Sequence, residues 1–253
     1  MLTKDTAICI RAVDYSETSQ IVTLFTRATG KISAIAKGSK RPKSVFDGPI
    51  EVFSYGEIVF SEPAREKLAT LTEFEQQPSF THLSNSLFAL NSASFATELV
   101  NNLTNEYDPH PQLFDDFLEF LQNTDELQAK AKKSKQQDVI ALLILFQLAL
   151  LKNIGLQPVL NACANCKTKY EQRATSDEFY FSSSANGLIC GDCEGSFPDK
   201  IRLSKEAASC LNDLKLITQS DEKTLNEIER TLIYHFTEIL GRPPKMASYI
   251  LKN

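Results

Sequence analysis

Gln20-Ile21-Val22-Thr23-Leu24-Phe25-Thr26-Arg27 and Lys31-Ile32-Ser33-Ala34-Ile35-Ala36-Lys37 are joined by Ala28-Thr29-Gly30. Two extended segments around so tight a turn predict a β-hairpin. Working outward, Ile8, Ile10 and Ala12 alternate with Cys9, Arg11 and Val13 on the N-terminal side. Ile50–Tyr55 leads into Glu57–Phe60 on the other, and Leu68–Phe74 closes the set. About five short strands within residues 1–78, with no long helix among them, predict a small closed barrel of OB-fold type. An SH3-like barrel leaves much the same trace.

Between the third and fourth strands lies Lys37-Gly38-Ser39-Lys40-Arg41-Pro42-Lys43-Ser44, with four cations in seven residues. Gly38 makes this loop mobile and Pro42 stiffens it. A run of charge is ordinarily a solvated loop, but this one interrupts an acidic chain. The formal net charge is -5, and residues 1–78 are balanced, with ten Lys/Arg against ten Asp/Glu. Arg27 and Lys31 flank the preceding hairpin and extend the same basic surface. Barrels of this kind use cations for phosphates and aromatic rings for bases, so Arg27, Lys31, Lys37, Lys40, Arg41 and Lys43 are the candidate DNA-binding residues. Phe46, Tyr55 and Phe60 are available for stacking, although core positions suit them better. Thr29-Gly30-Lys31-Ile32 echoes a phosphate loop but fails as one. Phe25 stands where the first glycine is required, Ile32 stands where Ser or Thr is required, and the setting is a hairpin.

From Ser79 the apolar period changes from two to about 3.6. Leu83, Leu87 and Leu90, with Phe95, Leu99 and Leu103 on an adjoining stripe, predict a long amphipathic helix, broken at Asp108-Pro109-His110-Pro111. Leu113, Phe117, Phe120 and Leu121 predict a second helix. Lys130, Lys132, Lys133 and Lys135 then lead into Gln136–Ile154, apolar on nearly all sides and therefore a buried central helix. Leu203, Ala207, Leu211 and Leu214 predict one further helix. Leu225, Ile228, Leu232, Phe236 and Ile239 predict another, started by Asp221 and ended by Gly241.

Cys163-Ala164-Asn165-Cys166 is answered by Cys190-Gly191-Asp192-Cys193, with 23 residues between the two pairs. This spacing is suited to one tetrahedral zinc ion held by Cys163, Cys166, Cys190 and Cys193. Four cysteines fill the coordination sphere, so the site reads as structural rather than catalytic. No His-x-Glu accompanies it, as a zinc deaminase requires. His82, His110 and His235 read as ordinary surface or partly buried residues, and Cys9 and Cys210 as buried apolar ones. Metal-type cysteine spacing argues for a reducing cytoplasm over a disulfide framework. Met1-Leu2-Thr3-Lys4-Asp5 runs into a strand pattern, unlike a secretory signal. The apolar run Val139–Leu151 falls well short of the ~20 residues a membrane span needs.

The fold class is therefore α+β and multidomain. The expected parts are a barrel (1–78), a helical domain (79–158), a four-cysteine zinc module (159–200) and C-terminal helices packing on the helical domain (201–253). In its order of parts the chain resembles the RecO family of DNA repair and recombination proteins. The resemblance rests on Gly30-Lys31-Ile32, on Ala36-Lys37-Gly38-Ser39-Lys40-Arg41-Pro42-Lys43, and on Gly155-Leu156-Gln157-Pro158-Val159-Leu160 running into Cys163-x-x-Cys166. Gly241-Arg242-x-x-Lys245 completes it. The glycine common in the family after the first cysteine pair is replaced by Lys167-Thr168. The resemblance implies a non-enzymatic bacterial recombination mediator that binds single- and double-stranded DNA and anneals complementary strands. It also implies action with RecR to load RecA onto DNA coated by single-stranded DNA-binding protein, hence a cytoplasmic, nucleoid-associated location. Residue chemistry alone also permits a zinc-stabilised scaffold that binds proteins and not DNA. A metal-dependent hydrolase is a third reading, without support from any acid–base constellation.

Overall fold

A computed structural model describes residues 2–46, 48–62, 68–130, 136–170 and 178–251. The protein is α+β, and the chain divides into two compact units. One comprises residues 1–82 and 100–125, the other residues 83–99 and 126–253.

The first unit is built on five strands: β1 (Leu2–Asp14), β2 (Gln20–Thr26), β3 (Gly30–Ala36), β4 (Tyr55–Ser61) and β5 (Ala69–Gln77). They close into a barrel in the order β1-β2-β3-β5-β4. The length of β1 makes closure possible. Its second half pairs with β2, from Ala7↔Thr26 to Asp14↔Gln20, and its first half with β4, from Leu2↔Ser61 to Ile8↔Tyr55. A bulge between Cys9 and Arg11 bends the strand between these two tasks. β3 meets β5 in parallel over Ala34–Ala36, whereas the other described barrel pairings are antiparallel. Alternation places Ala7, Cys9, Val22, Leu24, Ile32, Ala34, Ile58, Phe60, Leu71 and Phe74 in the barrel core. The hairpin turn is held from below by Asp5, whose carboxylate accepts from the amides of Ala28 and Thr29 and from the Thr29 hydroxyl.

The expected strand over Ile50–Tyr55 is corrected: β4 begins only at Tyr55. Phe53 adopts φ +74°, outside extended conformations, and Ser54 N donates back to Glu51 O. This is a turn hung on β1 by Phe53 N to Cys9 O and Cys9 N to Ser54 O.

Helix α1 spans Leu87–Leu103 and α2 spans Pro111–Lys130. Leu113, Phe114, Phe117, Phe120 and Leu121 are buried on α2, and Phe25 of β2 packs on Phe114 and Phe117 with ring centroids 5.9 and 6.5 Å apart. Leu87 does not join the apolar stripe expected of it. It is 74% exposed at the first helical position, and Ala89, Ala93, Ala96, Leu99 and Val100 form the buried face instead.

In the second unit, α3 (Gln136–Asn153) buries ten residues around nearly its whole circumference, as its apolar sequence requires. Gly155, at φ +79°, ends the helix, with Leu156 N returning to Leu151 O. Strands β6 (Phe179–Ser182), β7 (Gly187–Cys190) and β8 (Ile201–Leu203) form a small sheet in the order β7-β6-β8. Helix α4 covers Lys205–Asn212 and α5 covers Glu222–Leu240. The short α6 (Ala247–Ile250) follows, and Glu98 accepts from the Lys245 and Met246 amides just before it. Asp221 caps α5 by accepting from Thr224 N, and Gly241 at φ +66° ends it. The helix expected to unite Leu203, Ala207, Leu211 and Leu214 is shorter. Ser204 caps α4 by accepting from Ala207 N, which leaves Leu203 in β8 opposite Phe179. Leu214 falls in a 3-10 turn. Among the described residues, no helix is long and apolar enough to cross a membrane.

Candidate nucleic-acid interface and metal centre

The basic loop leaves β3 at Ala36 and is fastened at several points. Gly38 takes φ +73° and donates its amide to Ser19 Oγ at 3.2 Å. Ser39, fully buried, donates its hydroxyl to Gln20 Oε1, which also accepts from Ile50 N. Lys40 N reaches Thr18 O at 3.1 Å, and Arg41 N and Ser44 N close successive turns on Gly38 O and Arg41 O. Phe46, 1% exposed, plugs the loop into the core, and Gln76 Nε2 donates to its carbonyl. Gly38 therefore serves a turn pinned by hydrogen bonds, in place of the mobility its residue type suggested.

The six candidate cations separate into two groups. Lys37, Arg41 and Lys43 are exposed, and among the described residues none of them has an ion-pair partner. Lys40 lies beside them with its ammonium 2.6 Å from Asp14 Oδ2. Arg27 and Lys31 are engaged elsewhere. The Arg27 guanidinium forms a bidentate pair with Asp115, both distances being 2.8 Å, and this holds the Asp115 carboxyl below its usual range. Lys31 Nζ donates to the carbonyls of Asn101 and Thr104, each at 2.6 Å, capping the end of α1. Partial burial lowers its pKa. Lys130 pairs with Glu126 on its own helix. Lys132, Lys133 and Lys135 lie outside the described residues.

Of the three aromatics available for stacking, Phe46 and Phe60 are buried. Tyr55 is half-buried, its ring 6.4 Å from that of Phe80. Tyr15 went unremarked in the sequence, where its signal is a lone aromatic in the polar turn Tyr15-Ser16-Glu17-Thr18-Ser19; it is 64% exposed.

The four predicted metal ligands come together. One sulfur from each of Cys163, Cys166, Cys190 and Cys193 lies within 4.8 Å of all the others, and Cys166 Sγ is 3.9 Å from Cys190 Sγ. Tetrahedral zinc with four bonds of ~2.3 Å requires sulfurs about 3.8 Å apart, so the donor set fits one such ion. Cys163 and Cys190 are buried, whereas Cys166 is exposed. A hydrogen bond with the Thr168 hydroxyl at 3.3 Å and one from its backbone amide draw the Cys166 thiol down to about 6. Burial pushes Cys190 up to about 12. The first turn closes with Lys167 N on Cys163 O, and Lys167 itself sits at φ +62°. The left-handed backbone is one that glycine adopts most readily, and here it carries a lysine.

The histidines stand apart from the sulfurs. His82 and His110 face Asp125 and Asp108. His235 is corrected from an ordinary surface or partly buried residue to a core one, 2% exposed. Its Nδ1 is 2.8 Å from Ser183 Oγ.

Comparison with known proteins agrees with this arrangement. Residues 1–80 match the family model described as "Recombination protein O N terminal", and residues 84–247 match "Recombination protein O C terminal". The DNA repair protein RecO of Bacillus pumilus is 33% identical over 248 residues, covering 95% of this chain and 90% of that one. Its counterpart in Bacillus subtilis is 32% identical, covering 95% and 91%. That of Rhodopirellula baltica is 31% identical over 208 residues, covering 82% and 73%. With two family models spanning nearly its whole length and relatives of this similarity, the chain belongs to the RecO family of DNA repair proteins.

Proposed function

We propose that this protein is a non-enzymatic recombination mediator whose barrel, of OB type, binds single- and double-stranded DNA through the loop Lys37–Lys43. The observation carrying the proposal is the pinned, solvent-facing group Lys37, Arg41 and Lys43 on a closed barrel with the strand order 1-2-3-5-4. Lys40 joins this group by adding a phosphate to its Asp14 contact through a remaining ammonium proton, while Arg27 and Lys31 keep their internal partners. Cations placed this way bind phosphates independently of sequence and release counterions, so affinity falls steeply with salt. Two complementary strands held on one basic surface repel each other less, and annealing follows. Family membership supports the further steps, in which the protein acts with RecR and single-stranded DNA-binding protein to load RecA. In this reading the work is done in the bacterial cytoplasm, on the nucleoid.

The four cysteines hold one structural zinc ion. A closed set of four thiolates leaves no position for a water nucleophile, so the ion's contribution is to fix the loop-rich module at 159–200. The barrel (1–78), the helical domain (79–158) and the C-terminal helices (201–253) complete the domain plan.

The decisive variant is Lys40→Glu/Arg41→Glu/Lys43→Glu. It is expected to abolish strand annealing and to flatten the dependence of log affinity on log salt by roughly three charges. Annealing and affinity that survive this reversal rule out the loop. Absence of any binding to single-stranded DNA at low salt by the unaltered protein favours the scaffold reading instead.

A further inference from the structure

A basic loop accounts for phosphate contacts, but it leaves open how a single strand is told from a duplex. That distinction requires a flat apolar surface on which an unpaired base can stack. The structure removes the obvious candidates, since Phe46 and Phe60 are buried and Tyr55 packs against Phe80. Tyr15 remains, the first residue after β1 and 64% exposed.

Three observations make Tyr15 more than an exposed side chain. Its turn is rigid: Tyr15 N and Ser16 N both donate to Ser19 O, and Ser16 Oγ accepts from the amides of Thr18 and Ser19. A ring presented from a fastened turn loses little freedom on binding. The turn is also stitched to the basic loop, by Lys40 N to Thr18 O at 3.1 Å, Gly38 N to Ser19 Oγ at 3.2 Å, and Lys40 Nζ to Asp14 Oδ2 at 2.6 Å. The residue adjoining Tyr15 is thus ion-paired to the loop that carries the cations. Third, Val13 and Val45 are 43% and 68% exposed, one on each of the two stitched segments. Tyr107 offers a contrast: it is 42% exposed in the same unit, but the carboxylates of Glu106 and Glu62 act on it, and these repel a phosphate chain. Next to Tyr15 in the chain, Asp14 is paired with Lys40, and Glu17 is a second carboxylate two residues on.

We propose that Tyr15 is a base-stacking platform that gives the Lys37–Lys43 surface its preference for single-stranded nucleic acid. The inference rests on the reading of that loop as a phosphate contact. Phosphates lie along Lys37, Lys40, Arg41 and Lys43 while one unpaired base lies on the Tyr15 ring. A duplex, with its bases already stacked on one another, gains the phosphate contacts alone.

The test compares binding of the full chain to oligo(dT) and to a duplex of equal length. Tyr15→Ala is expected to weaken oligo(dT) binding roughly 5- to 100-fold, leaving duplex affinity and the salt slope as they were. Tyr15→Phe retains both affinities. Because the chain has no tryptophan, Tyr15→Trp places a single reporter at the site, and its fluorescence is quenched by oligo(dT) and not by duplex. If the unaltered protein binds both DNAs, an unchanged oligo(dT) affinity in Tyr15→Ala overturns the stacking role and leaves the loop assignment standing. Equal losses on both DNAs overturn it as well, since they mark a phosphate or folding contribution. If the unaltered protein binds neither DNA at low salt, both readings fall together.

Discussion

At the scale of single residues, the most consequential departure from expectation is a buried carboxyl. Glu229 of α5 is fully buried, and its polar partner among the described residues is Gln147 of α3, whose Nε2 donates to both carboxyl oxygens at 2.8 and 3.0 Å. Burial pushes its pKa to about 8. Among the described residues, Gln147 Oε1 has no hydrogen-bond partner. With Glu229 protonated and the amide turned over, its O–H donates to Oε1 in the place that Nε2 now holds. The folded state then binds a proton that the unfolded chain has released. Its contribution is fully present below about 4.5 and is lost as pH rises towards about 8. His235 acts in the opposite sense. Burial lowers it from 6.5 to about 4, so its contribution is present above 6.5 and is lost as pH falls. Urea unfolding between pH 6.5 and 9 should therefore show stability declining as pH rises. Glu229→Gln is expected to flatten that decline and gain on the order of a few kcal/mol at pH 9. Parallel profiles for the two proteins would show that Glu229 is already ionised when folded.

Among the elements, the hairpin β6–β7 shows how backbone geometry can outweigh side-chain pattern. Gly187 sits at φ +153°, and a Cβ there would lie 2.3 Å from Val159 O. Val159 N donates to Asn186 O, and Leu188 N donates to Val159 O. One step on, Ala164 N donates to Leu188 O at 2.7 Å, and Cys190 ends the strand. The close approach at Gly187 thus ties the strand ending at Cys190 to the segment that carries Cys163. Gly187→Ala is expected to forfeit stoichiometric metal binding while the barrel stays folded. Metal content per chain, measured beside circular dichroism, decides the matter, and a fully metal-loaded variant would contradict it. Caps were the legible signals at this scale. Asp221 and Gly241 bound α5 as read, and Ser204 was equally available to show that a helix starts after Leu203. The left-handed Phe53 that breaks the strand expected over Ile50–Tyr55 carries no such mark, because a bulky residue at positive φ is contrary to its type.

For the whole molecule, two compact units and a four-cysteine cluster within one of them lead to a separable response. Thiolate ligands couple metal binding to folding. Removing the ion with a chelator, or substituting Cys163→Ser, is expected to lower the melting transition of the cysteine-bearing unit. The barrel transition and its salt-dependent DNA affinity should persist. Calorimetry alongside DNA titration checks this, and loss of DNA binding with the fold intact would assign the metal module a direct role. The distribution of charge has the same character. For a chain of net charge -5, the proposed contact with an anionic polymer depends on a local concentration of cations, so the arrangement of charge matters more than its sum.

The sequence by itself determined the barrel strands, the buried helix α3, the caps of α5 and the four-cysteine spacing. Each of these is written in local periodicity or in residues a few positions apart, where backbone geometry alone brings side chains to one face or one turn. Only the tertiary structure decided which cations face solvent and which aromatic ring is free. The reason is separation along the chain. Arg27 meets Asp115 across 88 residues and Lys31 meets the carbonyl of Asn101 across 70, while Lys37, Arg41 and Lys43 remain exposed. Burial and charge neutralisation are long-range properties, fixed when β3 meets the end of α1 and when Phe25 packs on α2. No window of sequence around a lysine or a tyrosine contains them.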